Sequence, residues 1–372
     1  MNETALAPDT LRSAPVTLEA ALREIAATAA DRDRSATPIF PDDAITLLQD
    51  AGALAFNATD GRVRPPAVEE LELVRAVARA DASVGRIFDG HLNGVERLAV
   101  QAPPALREVE LAAVRNRRLR VGVWGGDPRS GEGAPATVER GRGAATLSGV
   151  KTFCSGAGGL DRALVLARDP DARLPVAVWV DLTDPASVIV DQRWYRASGL
   201  RASVSHRVVF RRAPVLAQFG PPGGLSQPPW FGRDALRTAA SWAGMADCAL
   251  DAALGELARR PDAGPLEQLA AGRMLAAQQT IVAWLQRAAQ AMDAATPELG
   301  VVALHARVAI AHASRALLDE AARACGSHPF ATGGGLDRAR RDLELFLLQH
   351  RLDPALAAAG ARALHARAED DR

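Results

Sequence analysis

The 372-residue chain is predicted to be an α+β protein, mainly α, in three parts: an N-terminal helical domain (1–116), a small middle β-barrel or sheet domain (117–220) and a C-terminal four-helix bundle (221–372). Two observations support this. Apolar residues recur at helical spacing in the first and last thirds, while the middle third breaks into short β-like runs separated by Gly, Pro and Asp clusters. Strands grouped without helical patterns between them form a compact, mostly antiparallel sheet, not a doubly wound one.

In the first part, Leu18, Leu22 and Ile25 share one helical face, as do Ile45, Leu47 and Leu48, and then Leu71, Val74, Val77 and Ala78. Pro41 followed by Asp42 and Asp43 reads as a helix start, with acids where the dipole favours them. The loop GRVRPPAV (61–68) ends one helix and launches the next. The β-like runs are LRVGVW, AATLSGVKTFCSG, RALVLAR, PVAVWVDL, SVIVD and HRVVF. After the breaker FGPPGGLSQPPW (219–230), helices are predicted over 234–258, 265–294, 301–325 and 336–351, lengths suited to a bundle. The terminal ARAEDDR reads as a frayed polar tail.

Lys+Arg and Asp+Glu both number 44, so the net charge is zero and nothing favours nucleic acid or an anionic membrane as partner. The three cysteines, Cys154, Cys248 and Cys325, are far apart and form no CxxC, which fits a reducing compartment. The N-terminus has no basic start followed by an apolar run, and no uninterrupted apolar stretch reaches the ~18 residues of a membrane span. A cytoplasmic location is expected.

Three places are candidates for chemistry. His91 lies on the helical face of Val84, Ile87, Phe88, Val95 and Leu98, so its imidazole leaves an apolar surface; a core histidine with one partner is the alternative. His350 repeats this pattern beside Leu343, Phe346 and Leu347, and two such imidazoles meeting across a cleft would suit proton transfer near neutrality. The stretch SGVKTFCSGAGG (148–159) runs a strand into a Ser-Gly turn, where Ser155 can hydrogen-bond a planar ligand and Phe153 can lie beside it. It also contains Lys151, the one lysine of the chain. VGVWGGDPRSGEG (121–133) is glycine-rich but has neither GxGxxG spacing nor a GK[ST] ending. His305 and His312 lack acidic or cysteine neighbours, so no metal site is predicted. GxSxG and HExxH are absent, which argues against familiar hydrolases and zinc proteases.

Taken in order, GVKTFCSGAGGLDRALVLAR, GLRASVSHRVVFRRAPV, WFGRDALRTAASWAGMADCAL and RARRDLELFLLQH resemble the acyl-CoA dehydrogenase superfamily over essentially the full chain. The resemblance implies a flavin, FAD or FMN, between β-domain and bundle, with Phe153 packing on the ring and Ser155 hydrogen-bonding it. It places Trp124 and Gly126 on the flavin-side loop and makes Arg260 the arginine that reaches cofactor phosphates from a neighbouring subunit. A homodimer or homotetramer is implied.

Dehydrogenation in this family needs a carboxylate base. Counting from Arg341-Asp342, that position is His350, and the alternative glutamate beside the arginine matching Arg237 is Leu236. The sequence instead resembles the two-component flavin monooxygenase branch related to dibenzothiophene monooxygenase, which implies His91, Ser155 and His350 as catalytic residues. Flavin reduced by a separate reductase would then react with O2 at C4a, through a C4a-peroxide, and pass one oxygen atom to a small organic substrate. Acyl-CoA dehydrogenation, with a histidine as base, is the second reading, and a flavin-free helical binding protein the third.

Overall fold

A computed structural model describes residues 16–59, 64–141, 144–349 and 351–370. The N-terminal part holds α1 (Leu18–Arg34), α2 (Asp42–Asp50), α3 (Ala67–Ala80), α4 (Ala82–Gln101) and α5 (Pro104–Arg115). Thr17 caps α1 through Oγ1, which accepts from Ala20 N at 3.2 Å. Asp81 separates α3 from α4: its extended backbone (φ −155°) ends one helix, and its carboxylate caps the next by accepting from Ser83 N and Val84 N. α4 is buried along almost its whole length because it packs against α3, the bundle and the sheet together.

The middle part is a seven-stranded sheet of β1 (Val121–Trp124), β2 (Thr137–Glu139), β3 (Thr146–Cys154), β4 (Arg162–Ala167), β5 (Val176–Asp181), β6 (Val188–Asp191) and β7 (His206–Phe219). The order is β1-β4-β5-β7-β3-β2, with β6 also on β7. All ladders are antiparallel except β1 with β4, so the sheet is mixed. The short β2 was not expected, and β7 runs well past HRVVF, bending at Arg212 (φ 51°) so that one strand pairs with β6, β3 and β5.

The bundle comprises α6 (Trp230–Ala258), α7 (Pro265–Asp293), α8 (Leu299–Cys325), the short α9 (His328–Ala331) and α10 (Gly335–Gln349). A further helix, α11 (Asp353–Asp370), was not predicted; it runs into ARAEDDR, expected as a frayed tail, and its described side chains are almost all exposed. α8 is long and apolar enough, by length and composition, to cross a membrane, but half of its most apolar stretch is buried inside the fold, as in a bundle core helix. The larger core, filled by Trp242, Phe346, Leu236, Ile281, Leu317 and their neighbours, extends from the bundle through α3 and α4 into the sheet, and a second, around Val95, Leu111, Trp179 and Phe219, joins α4 and α5 to the sheet.

Candidate functional site

The sheet presents a corner where β3 ends. β3 is bulged between Lys151 and Cys154, and Phe153 takes a left-handed backbone (φ 54°) closed by Ser155 N donating to the Phe153 carbonyl at 3.0 Å. Cys154 is therefore driven fully inside, and Phe153 is turned out, 51% exposed, with its ring 4.9 Å edge-on from Trp194. Trp124 Nε1 donates to the Ser155 carbonyl at 3.0 Å, and Thr152 N donates to the Gly126 carbonyl at 3.0 Å. Position 126 must be glycine, since a Cβ there would lie 2.5 Å from the Thr152 carbonyl oxygen. Trp124, Gly126, Phe153 and Ser155 thus stand together.

Behind them runs a hydroxyl chain: Ser155 Oγ is 2.8 Å from Ser205 Oγ, which is 2.8 Å from Ser203 Oγ. Either oxygen of each pair can donate, so the chain can direct a hydrogen toward Ser155 or away from it. Tyr195 closes this end, its hydroxyl donating to the Gly199 and Leu200 carbonyls at 3.4 Å, with its pKa raised chiefly by burial. Ser203 and Ser205 were not singled out in the sequence, although their spacing, two residues apart, is the signal that could have found them.

Lys151 is buried and fully used. Its Nζ donates to the Gly125 carbonyl (3.0 Å), the Leu166 carbonyl (2.6 Å) and Asp127 Oδ1 (2.8 Å), fastening the glycine-rich loop to β3 and β4. It positions the loop that contains Gly126.

His91 lies beneath β1 with both ring nitrogens engaged. Nδ1 accepts from Val121 N at 3.0 Å, which leaves the proton on Nε2, 2.9 Å from the Leu54 carbonyl. Burial pushes its pKa down to about 4, so the ring is neutral at physiological pH. The expected proton donor is here a strut between α4 and the strand that presents Trp124. His350 lies outside the described residues; on α10, which ends at Gln349, Leu343, Phe346 and Leu347 are buried. Arg260 is also committed: it donates to the carbonyls of Ala324 (2.8 Å) and Cys325 (3.1 Å) at the end of α8 and pairs with Glu267 at 3.2 Å. Within this chain it is a helix cap, not part of the corner.

A buried charge cluster between α3, α4 and α6 was not foreseen. Arg237 meets Glu70 at 2.5 Å and Asn93 at 2.9 Å, and its Nη2 faces Glu96 at 2.8 Å, a charge contact off the hydrogen-bonding angle. Arg233 bridges Glu70 (3.0 Å) and Glu96 (2.6 Å), and Arg97 pairs with Asp234. Burial alone would raise Glu96, but Arg237 and Arg233 outweigh it and hold the carboxyl at about 2. Asp89, whose pKa burial raises, is held by Asn93 (3.0 Å) and Thr238 (3.2 Å). Beside Arg237, Leu236 is fully buried.

Two of the sequence motifs meet where the sheet docks on α10. Asp342 accepts from Leu200 N at 2.6 Å, and a Cβ at Gly199 would lie 2.2 Å from the Arg341 carbonyl oxygen. Arg341 in turn pairs with Asp33 at 2.7 Å and Asp337 at 2.9 Å.

Residues 230–348 match the family model described as acyl-CoA dehydrogenase, C-terminal domain. Among solved structures, dibenzothiophene monooxygenase TdsC from Paenibacillus sp. A11-2 superposes with a TM-score of 0.80 at 22% identity, covering 93% of this chain and 95% of that one. This chain has the acyl-CoA dehydrogenase fold. The fold is shared with methanesulfinate monooxygenase MsuC from Pseudomonas fluorescens (TM-score 0.76, 22% identity, 93% and 96% covered). It is shared as well with nitrososynthase from Micromonospora carbonacea var. africana (TM-score 0.73, 22% identity, 88% and 90% covered). No curated protein sequence matches the chain.

Proposed function

We propose that this acyl-CoA dehydrogenase-fold chain is a flavin-dependent oxidoreductase of the two-component monooxygenase type, taking reduced flavin from a separate reductase and using O2 on a small organic substrate. Two neighbours of the same fold, TdsC and KijD3, are FMN complexes. The corner residues fit such a group: an outward aromatic face at Phe153, a glycine wall at Gly126 and an uncharged hydroxyl at Ser155 suit a planar ring with polar edge atoms. When bound, flavin supplies the electrons and the oxygen-activating chemistry. Ser155 would hold a hydrogen at Oγ toward the ring while accepting from Ser205, Trp124 would fix the Ser155 backbone, and His91 would keep β1 in place.

The observation behind oxygenation rather than dehydrogenation is the state of the acids on and around the start of α6. Leu236 fills the position of one family base, Glu70, Glu96 and Asp234 are each engaged by arginine, and Asp89 is taken up by Asn93 and Thr238, so none of them is free to accept a proton from carbon. Three free cysteines support the cytoplasmic location.

The test starts with flavin titration: FMN or FAD fluorescence should be quenched, and Ser155→Ala should weaken the binding roughly tenfold, the scale of one buried hydrogen bond. With NADH, a flavin reductase and isotopically labelled O2, label should enter the product of an aromatic panel that includes indole. Bleaching of an acceptor dye by acyl-CoA thioesters without the reductase would establish the dehydrogenase reading in its place.

A further inference from the structure

Between the start of α6, the first half of α8, the end of α10 and α11 lies a cavity of about 530 Å³, within the usual range for small-molecule sites. Its wall is largely apolar, with Phe231, Ala235, Ala303, Leu304 and Leu352 among the lining residues. Its polar lining is one-signed: Arg307, Arg351 and Arg362 with Gln349, and no carboxylate. In a chain whose charges cancel, that imbalance is local and built in.

Arg307 is the centre of it. The side chain is 8% exposed, its Nε is buried without a hydrogen-bond partner, and it makes no ion pair among the described residues. Its guanidinium lies 5.4 Å over the Trp242 ring, and the nearest electrostatic counterpart, Asp89, is already bonded to Asn93 and Thr238. A buried cation left without an anion is unfavourable, and a ligand that brings the missing charge relieves it.

We infer that this cavity binds the substrate, and that the substrate has an apolar body and an anionic head, a carboxylate or sulfonate-type group, which pairs with Arg307. The claim that the occupant is the substrate rests on the oxidoreductase reading; the claim that an amphiphilic anion binds here does not.

Calorimetric titration of the flavin-free protein with hexanesulfonate and octanoate tests it, with 1-hexanol and octylamine as uncharged and cationic controls. Both anions should bind at least tenfold tighter than hexanol, and octylamine should not bind. Arg307→Met should lose this preference, about 10–100-fold in Kd for the anions, while Arg307→Lys keeps part of it. Ala303→Trp should abolish binding of anions and hexanol alike by filling the space. Equal affinity for anion and alcohol, or an unchanged anion Kd in Arg307→Met, overturns the assignment. A parallel flavin titration of the wild type separates the two readings: anion binding without flavin binding refutes the oxidoreductase and leaves the anion site standing.

Discussion

Arg237 and Arg307 are both buried arginines on bundle helices, and their surroundings are opposite. Arg237 sits among Glu70, Glu96 and Asp234, which together raise its pKa over the opposing effect of burial. Arg307 has burial pulling it down to about 10, with only the already bonded Asp89 opposing. The first site is closed on itself and needs nothing from outside, whereas the second is open to a cavity and needs an anion. The same residue type thus serves as a rivet in one place and as a receptor in the other, and what separates them is the local supply of carboxylate.

The same substitution at the two positions should therefore have different outcomes. Arg237→Met leaves Glu70 and Glu96 buried with Arg233 alone between them, and should lose about 3–5 kcal/mol in urea unfolding, the cost of breaking a buried pair from one side. Arg307→Met replaces an unpaired buried cation by an apolar chain of similar size, and should be neutral or stabilising. Equal destabilisation at both sites would remove the distinction, because it would mean that Arg307 already has its partner within the fold.

The three-part order and most helices were legible because periodicity is local: the spacing of Leu71, Val74 and Val77 or of Leu343, Phe346 and Leu347 reports the buried face directly. Phe153 and Ser155 were legible for the same reason, being two residues apart on one strand turn, whereas Trp124 and Gly126 were reached only through the family resemblance. What escaped depends on partners far away in the chain. Glu70 and Arg237 are 167 positions apart, so no window of sequence shows that they neutralise each other. His91 was placed correctly on an apolar face, but the Leu54 carbonyl and Val121 N that occupy its nitrogens come from outside its helix. Arg260 likewise finds the α8 carbonyls across the bundle. On α8 the sequence pointed to His305 and His312, whereas the buried cation without an ion pair among the described residues is Arg307.

A smaller contrast lies in the two joints between the sheet and the helices, which titrate in opposite senses. At the α4 joint His91 is buried neutral with a pKa near 4, against about 6.5 for an unfolded histidine. The unfolded chain binds the extra proton first, so this joint loses stability as pH falls from about 6.5 through 4. Replacing His91 by Phe should flatten that acid limb while weakening the fold by about 1–3 kcal/mol, because Val121 N and the Leu54 carbonyl lose their partner. Thermal melts of both proteins between pH 4 and pH 7 measure it, and a parallel acid limb in the variant would show that other groups produce the slope.

At the α10 joint the sign is reversed. Burial, with Asp81 and Asp33 nearby, raises Asp342 to about 7, against the hydrogen bond from Leu200 N and the charge of Arg338. A folded-state pKa above the unfolded one (about 3.9) means that the contribution is complete below about pH 4 and is lost as pH rises through 7. Asp342→Asn keeps an oxygen to accept from Leu200 N and removes the charge permanently. The variant should match the wild type near pH 4 and melt higher, by a few degrees at most, at pH 8. A lower melting temperature at pH 8 would show that the carboxylate is ionised and used in the native joint, which would make Arg338 and not burial the dominant influence on it.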